Sequence, residues 1–321
     1  MFRMRTKITI FWVSVFLLSL ALLSYSQDGE VKFVYGVRGF SDSQLFSNPQ
    51  GIFFDRWLKE IYVCDSGNHQ VAIFDSTGFP LFRFNHWLRT NRKEKILGEP
   101  RNLVVNQAGD VFLIDNLAEF IDILDQRGNP VDRLILQEIP EFENVKIRPE
   151  FLAVDTMDNL YVATSGDRVK ILIFDRDLNL IKYFGTRGTD KGELKTITGL
   201  WVDHEGKIYV TDTDASLCVQ IFNSAGEFLL GFGGHDIKRE DFSLPSGVTT
   251  TADGKIWVVD ELRQVVKGFD DKGNFLFWFG GFGAWPGDMR YPRYITGDGS
   301  NALFVVERVG ERYQKFLLNK N

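Results

Sequence analysis

From residue 49 onward, apolar and polar positions follow one recurring order. A proline or small residue opens an apolar run, and a polar turn follows. A second apolar run ends in an acid. After a short loop, a third apolar run ends in Phe-Asp or a close variant. A glycine turn then leads into an aromatic run. The order passes six times before the chain ends. Runs of four to six aromatic and β-branched residues between Gly and Asp turns predict short strands joined by hairpins. In the fourth pass, residues 199–203, 208–212, 218–222 and 227–232 read as the four strands of one unit.

The prolines give the period. Pro49 to Pro100 is 51 residues, Pro100 to Pro149 is 49, and Pro245 to Pro292 is 47. Pro149 to Pro245 is 96, two units of 48, with Ile197 where the intervening proline should fall. A period of roughly 40–50 residues built from short strands is the signature of a β-propeller. The expected fold is therefore all-β, a six-bladed β-propeller of four-stranded antiparallel blades. The sixth unit stops after its third strand. Residues 31–39 match the fourth-strand pattern of residues 183–188, so the N-terminal segment is expected to complete the last blade, close the ring and cover the open sheet edges.

The turns after the third strand recur at residues 75–78, 125–128, 223–226 and 270–273, with Asp175-Arg176-Asp177 in the third unit. Asp or Asn opens such a turn with a side-chain hydrogen bond and Gly takes the left-handed position, so these acids read as structural.

Composition changes the picture in two places. The chain has 321 residues, 44% hydrophobic and 25% charged, with 29 Phe that mostly fall at fixed positions of the unit and so read as blade packing. The net charge of −6 argues against a nucleic-acid or anionic-membrane surface, which needs a basic field. Residues 89–95, with Arg89, Arg92, Lys93 and Lys95, read as a solvated basic loop.

Residues 1–26 read as a signal peptide, or a signal anchor if retained. Arg3, Arg5 and Lys7 precede an apolar stretch at residues 8–23, and Ser24-Tyr25-Ser26 is a small-x-small cleavage signal. Residues 27–321 then form a single exported domain, periplasmic or extracellular, without membrane contact unless the first segment remains as an anchor. Export would permit a disulfide, but Cys64 and Cys218 fall in the first and fourth units. Opposite blades of a six-fold ring lie far beyond the ~7 Å Cα limit, so two separate buried thiols are expected.

Residues 65–75, Asp-Ser-Gly-Asn-His-Gln-Val-Ala-Ile-Phe-Asp, resemble the NHL repeat, whose pattern is roughly Val-x-Asp-x-x-Asn-x-Arg-Ile-x-x-Phe-Asp. Residues 279–283, Phe-Gly-Gly-Phe-Gly, and the later Pro292 match its Phe-Gly-x-x-Gly tail and following proline. The resemblance runs from residue 31 to the end. It implies a rigid binding platform, since NHL propellers include sensor domains of bacterial kinases, RNA- or protein-binding domains of TRIM proteins and a peptide-amidating lyase. The chain departs from the pattern where Gln70 and Gln264 replace the usual Arg, and where Ser165 and Glu307 replace the second-strand Asp. Loss of an internal loop tie is expected at those places.

Propeller geometry puts the loops between second and third strands on one face, together with the links between blades. The glycine turns occupy the other. The glycine turns repeat and the loops vary, so a site is expected on the loop face. There the residue after each proline position starts an inner strand: Gln50, Arg101, Glu150, Thr198, Ser246 and Arg293. This polar ring suits a polar or anionic ligand, because Arg offers a fork to carboxylates. It also suits plain solvation of the tunnel mouth, with Arg101 and Glu150 paired as neighbours. The inter-blade loops carry His86 and Trp87, Phe142, and Phe282 and Trp285. They read either as a partner-binding surface or as local packing.

Catalytic chemistry has little support. His69, His86 and His235 would have to converge to bind zinc, and their units are far apart; His204 falls on the other face. No Gly-x-Ser-x-Gly, HExxH or CxxC is present. No cofactor, metal or catalytic residue is expected. The leading reading is a non-catalytic platform for a protein, peptide or polar ligand. The alternative is a metal-dependent propeller enzyme, lyase-like or lactonase- or hydrolase-like, for which the ring offers Glu150, Gln50 and Asn102 against two arginines.

Overall fold

The computed structural model describes residues 30–89, 94–235 and 237–319. The proposed signal segment and part of the basic loop lie outside them. Six four-stranded antiparallel sheets follow one another in chain order. Blade 1 is Pro49–Asp55, Glu60–Asp65, Gln70–Asp75 and Pro80–Asn85. Blades 2 to 5 repeat this order from Pro100–Val105, Ile147–Val154, Ile197–Val202 and Pro245–Thr250, respectively.

Blade 6 comprises Pro292–Gly297, Ala302–Glu307 and Arg312–Leu318, and Val31–Val37 pairs antiparallel with the last of these. The chain's own start thus supplies the outer strand of its last blade. Phe33 meets Phe316 edge-on at 6.1 Å, and Tyr35 meets Tyr313 at 6.3 Å. The closing strand ends at Val37; Gly39 starts a separate short ribbon with Gln44–Leu45.

The aromatic positions pack blade against blade, as between Phe54 and Phe304, stacked at 5.2 Å. At the axis, Tyr294 of blade 6 crosses to blade 3 and stacks on Phe151 at 5.8 Å, and its hydroxyl donates to the Leu200 carbonyl of blade 4 at 3.1 Å. The void left among Ile52, Leu103, Leu152 and Leu200 is only ≈ 10 Å³. The axis is therefore narrow at this level, where Tyr294 and Phe151 fill it.

The third-strand turns form as expected. Asp75, Asp125, Asp175, Asn223 and Asp270 each accept, through Oδ1, the backbone N–H groups two and four residues on. Cys64 and Cys218 are free and buried, on blades 1 and 4. Among the described residues no helix is long and apolar enough to cross a membrane.

Candidate functional site at the loop face

Each inner strand starts with an irregularity. Its pairing with the second strand shifts between Pro49 and Gly51, Pro100 and Asn102, Pro149 and Phe151, Ile197 and Gly199, Pro245 and Val248, and Pro292 and Tyr294. In five blades the extra residue is a member of the polar ring, Gln50, Arg101, Glu150, Thr198 or Arg293, and in blade 5 Ser246 and Gly247 share the gap. A β-bulge re-aims the side chain it carries. Here these irregularities recur at the start of all six inner strands, and five of them carry a half-buried polar side chain. Neighbouring backbones close in just beyond, where a Cβ on Gly51 would lie 2.4 Å from the Arg101 carbonyl oxygen.

Five of the six are half-buried; Ser246 is fully buried. Arg101 Nη1 donates to Glu150 Oε2 at 2.5 Å, and Nη2 donates to the Pro149 carbonyl at 3.1 Å. Glu150 Oε1 also accepts from Ser165 at 2.5 Å. Arg293 reaches back to blade 5, where Nη1 lies 3.0 Å from Glu261 Oε2, and Arg308 lies 3.2 Å from the other oxygen. Thr198 donates to the Pro245 carbonyl at 2.7 Å. Two buried polar atoms of the ring, Arg101 Nε and Ser246 Oγ, have no hydrogen-bond partner among the described residues. Leaving such a group unmatched costs about 1–3 kcal/mol, so it calls for an explanation.

The loops around the mouth are tied down by repeated bonds. In all six blades the second-to-third-strand loop donates one backbone N–H to the preceding inter-blade link: Gly67 to Ser47, Asn116 to Glu99, Asp167 to Lys146, Thr213 to Thr196, Glu261 to Leu244, and Arg308 to Tyr291. The second-strand acids serve the same end. Asp65 accepts from Ser47 N, Asp212 from Lys195 and Thr196 N, Asp260 from Ser243 and Leu244 N, and Glu307 from Arg290 N.

The expected loss of the loop tie does not occur in blades 1 and 6, whereas in blade 3 Ser165 bonds Glu150 of the ring instead. Gln70 Nε2 donates to Asp65 at 2.7 Å, and Arg312 Nε donates to Glu307 at 2.6 Å. An amide replaces the guanidinium in blade 1, and in blade 6 both partners persist in altered form. In blade 5, Asp260 pairs with Lys267 at 3.1 Å.

A further set of anchors lies one layer lower. Asp122, Gln220, Lys267 and Gln314 take the same place in the third strands of blades 2, 4, 5 and 6. All four are buried. Gln220 binds Gly192 N and the Glu193 carbonyl, Lys267 the Asp241 carbonyl, and Gln314 Gly287 N and the Asp288 carbonyl. Asp122 holds His86. These residues escaped the sequence reading, although a lone polar residue amid apolar neighbours, as in Ile121-Asp122-Ile123, was the signal for them.

His86 is 1% exposed, with Nδ1 at 2.7 Å from Asp115 and Nε2 at 3.0 Å from Asp122. Arg133 Nε lies 3.2 Å from the other Asp122 oxygen. A ring facing two carboxylates needs both N–H groups, which is the imidazolium. Burial opposes that charge, but the two hydrogen bonds outweigh it and hold the His86 pKa above its ordinary value. Burial likewise pushes Asp115 up, and the bonds from His86 and the Leu117 backbone bring it below the usual carboxylate range. His86 is a structural clamp on the 85–99 loop.

The other histidines do not join it. His69 Nδ1 contacts the Gly98 carbonyl at 2.7 Å, and His235 Nε2 the Ala215 carbonyl at 2.9 Å. His204 lines an open cavity of ≈ 390 Å³ on the opposite face with Asp203, Glu205, Lys207 and Asp271. Among the described residues no three His, Cys, Asp or Glu side chains converge on a metal position.

The loop aromatics divide. Phe142 is buried against Tyr183 at 5.2 Å and is packing. Trp87 is 48% exposed, and Phe282 and Trp285 are each 73% exposed.

Residues 46–74 match the family model of the NHL repeat. The chain thus carries an NHL repeat in the first blade of a six-bladed propeller. The Drosophila melanogaster Protein brain tumor is 27% identical over 155 residues, which is 47% of this chain and 14% of that protein. Solved structures share the architecture at low identity. A Bacteroides thetaiotaomicron protein of unknown function aligns with TM-score 0.65 at 16% identity, over 90% of this chain and 76% of that one. Virginiamycin B lyase from Staphylococcus aureus aligns with TM-score 0.60 at 11%, over 90% and 100%. The calcium-binding protein regucalcin of Agrobacterium tumefaciens aligns with TM-score 0.59 at 12%, over 89% and 93%. These likenesses concern the propeller fold alone, and the proteins that share it include a lyase and a calcium-binding protein.

Proposed function

We propose that this propeller is an exported, non-catalytic platform that recognises a protein, peptide or polar ligand on its loop face around the axis. The observation that carries the reading is the ring of six polar residues at the inner-strand starts. Two of its buried groups, Arg101 Nε and Ser246 Oγ, are unmatched among the described residues. A strand irregularity repeated in every blade, and in five of them carrying a half-buried polar side chain, is costly as mere solvation. The pinned loops around it are a scaffold with fixed shape, which lowers the ordering cost of binding.

A metal-dependent lyase or lactonase is the second reading, favoured by the architecture shared with virginiamycin B lyase and regucalcin. At the mouth, however, Glu150 is occupied by Arg101 and Ser165, and Glu261 by two arginines. Two guanidinium groups at the same mouth oppose a cation.

The test is capture of partners from the exported fraction, followed by titration of a captured partner against the parent and an Arg101→Ala/Arg293→Ala variant. Each single change should weaken binding about tenfold or more, since charge-assisted bonds are lost. Undiminished binding by the double variant removes the mouth from the account. Stoichiometric calcium or zinc in the purified protein, lost together with a lyase or lactonase activity on chelation, would favour the second reading.

A further inference from the structure

The 281–291 link between blades 5 and 6 is a tightly held aromatic display. Arg312 donates to the Ala284 carbonyl at 3.1 Å and to the Asp288 carbonyl at 2.6 Å. Gln314 accepts from Gly287 N at 2.9 Å and donates to the Asp288 carbonyl at 2.7 Å. Asp288 accepts from Trp285 N at 3.0 Å, and Met289 N donates to the Gly281 carbonyl at 2.7 Å. Arg312 and Gln314 are buried, so the loop stands on a rigid base. What it displays is Phe282 and Trp285, each 73% exposed.

The loop continues into its neighbours. Arg290 lies over the Phe282 ring at 5.9 Å. Arg308 N donates to the Tyr291 carbonyl, and Gly310 N to the Arg290 carbonyl, which brings Val309, 52% exposed, beside the aromatics. Arg308 reaches Glu261, whose neighbour Leu262 is 54% exposed. Four exposed apolar side chains and two guanidinium groups thus lie on linked loops of blades 5 and 6.

Charge here is sorted by depth. The acids lie inside: Glu307 is 0% exposed, Glu261 3% and Asp288 5%. The arginines lie outside: Arg290 and Arg308 are both exposed. Burial, with a smaller contribution from Glu311, the exposed acid of the same loop, raises the Asp65 carboxyl of blade 1. A chain of net charge −6 therefore presents a cationic, aromatic surface at this place. Complementary charge selects an anionic partner, and exposed Trp and Phe select one with an apolar side chain to bury. Nucleic acid is disfavoured, since two guanidinium groups on an acidic protein are far from the basic stripe it requires.

We propose that the rim of Phe282, Trp285, Arg290, Leu262, Arg308 and Val309 docks an acidic peptide segment of a partner protein through at least one large apolar side chain. The proposal rests on the loop-face reading and narrows it to one sector and one partner chemistry.

The test uses fluorescent 12-residue peptides, rich in Asp and Glu and carrying Leu, Phe or Trp, titrated against the whole protein. Controls replace the acids by Lys, or the apolar residues by Ser; a single-stranded RNA oligonucleotide is a further competitor. The acidic apolar peptides should bind, more weakly as salt rises. The Lys peptides should not bind, and the Ser peptides should bind about tenfold more weakly or worse. Phe282→Ser/Trp285→Ser and Arg290→Gln/Arg308→Gln should each cost about tenfold at unchanged circular dichroism and melting temperature. Arg101→Ala/Arg293→Ala separates the two readings. If it abolishes peptide binding while both rim variants bind like the parent, the mouth stands and the rim proposal falls. Binding to none of the peptides at millimolar concentration, equal binding of the Lys peptides, or preference for RNA each overturns the rim proposal.

Discussion

At the residue scale, the molecule uses buried charge to hold loops. His86 is the sharpest case, because both its nitrogens face carboxylates. Its pKa is raised in the folded state, so its contribution is complete below the unfolded value near pH ~6.5 and is lost as pH rises through the raised folded value. Asp115, held low, contributes above its unfolded value near pH ~4 and loses that contribution as pH falls. Stability from this pair should peak between those limits. A urea-denaturation series should show stability falling above pH ~6.5, with that part of the slope gone in His86→Ala. The variant should also lose about 3–5 kcal/mol, because two buried carboxylates are left facing each other. An unchanged slope would mean that His86 is neutral in the fold.

The cysteines make a second prediction at this scale. Burial pushes the Cys218 thiol up to about 12, and Cys64 well above its ordinary value. Intact-mass analysis should find both thiols reduced and slow to alkylate in the native protein. A Cys64–Cys218 disulfide would contradict the blade order, since it joins opposite blades.

At the element scale, the closing strand is the part whose removal tells most. Deleting residues 31–37 exposes the edge of Arg312–Leu318 and removes the Phe33–Phe316 and Tyr35–Tyr313 contacts. It also removes the hydrogen bond from Tyr35 to the Ser76 carbonyl, which ties blade 6 to blade 1. Several kcal/mol of stability should go with it, and edge-driven association should appear. A truncated chain that melts like the parent would refute the closure.

The strands, the turns and this closure were legible in the sequence, because period and alternation are backbone properties repeated six times. Other features were not. The irregularities at Gln50, Arg101, Glu150, Thr198, Ser246 and Arg293 leave the alternation of the inner strands almost untouched. The third-strand anchors Asp122, Gln220, Lys267 and Gln314 depend on which loop passes above them, and that is a contact between units. The tie made by Gln70 was missed because an amide can replace a guanidinium in donating to Asp65.

At the scale of the whole molecule, the ring has two unlike faces. Tyr294 and Phe151 narrow the axis between them. The turn face is built from repeated hydrogen-bonded turns. The loop face carries the varied loops, the polar ring and the exposed Trp87, Phe282 and Trp285. The placement of the ring at the loop-face mouth was legible from the proline positions. The pairing of Arg293 with Glu261 was not, because Glu261 belongs to a loop of the preceding blade.

The central claim is that recognition takes place on the loop face. Amide hydrogen exchange of the propeller, free and bound to a captured partner, tests it most directly. The account predicts protection in residues 85–99, 281–291 and 308–311 and at the starts of the inner strands, with the turns at residues 75–78, 125–128, 223–226 and 270–273 unchanged. Protection confined to those turns, or to the cavity around Asp203 and Asp271, would contradict it.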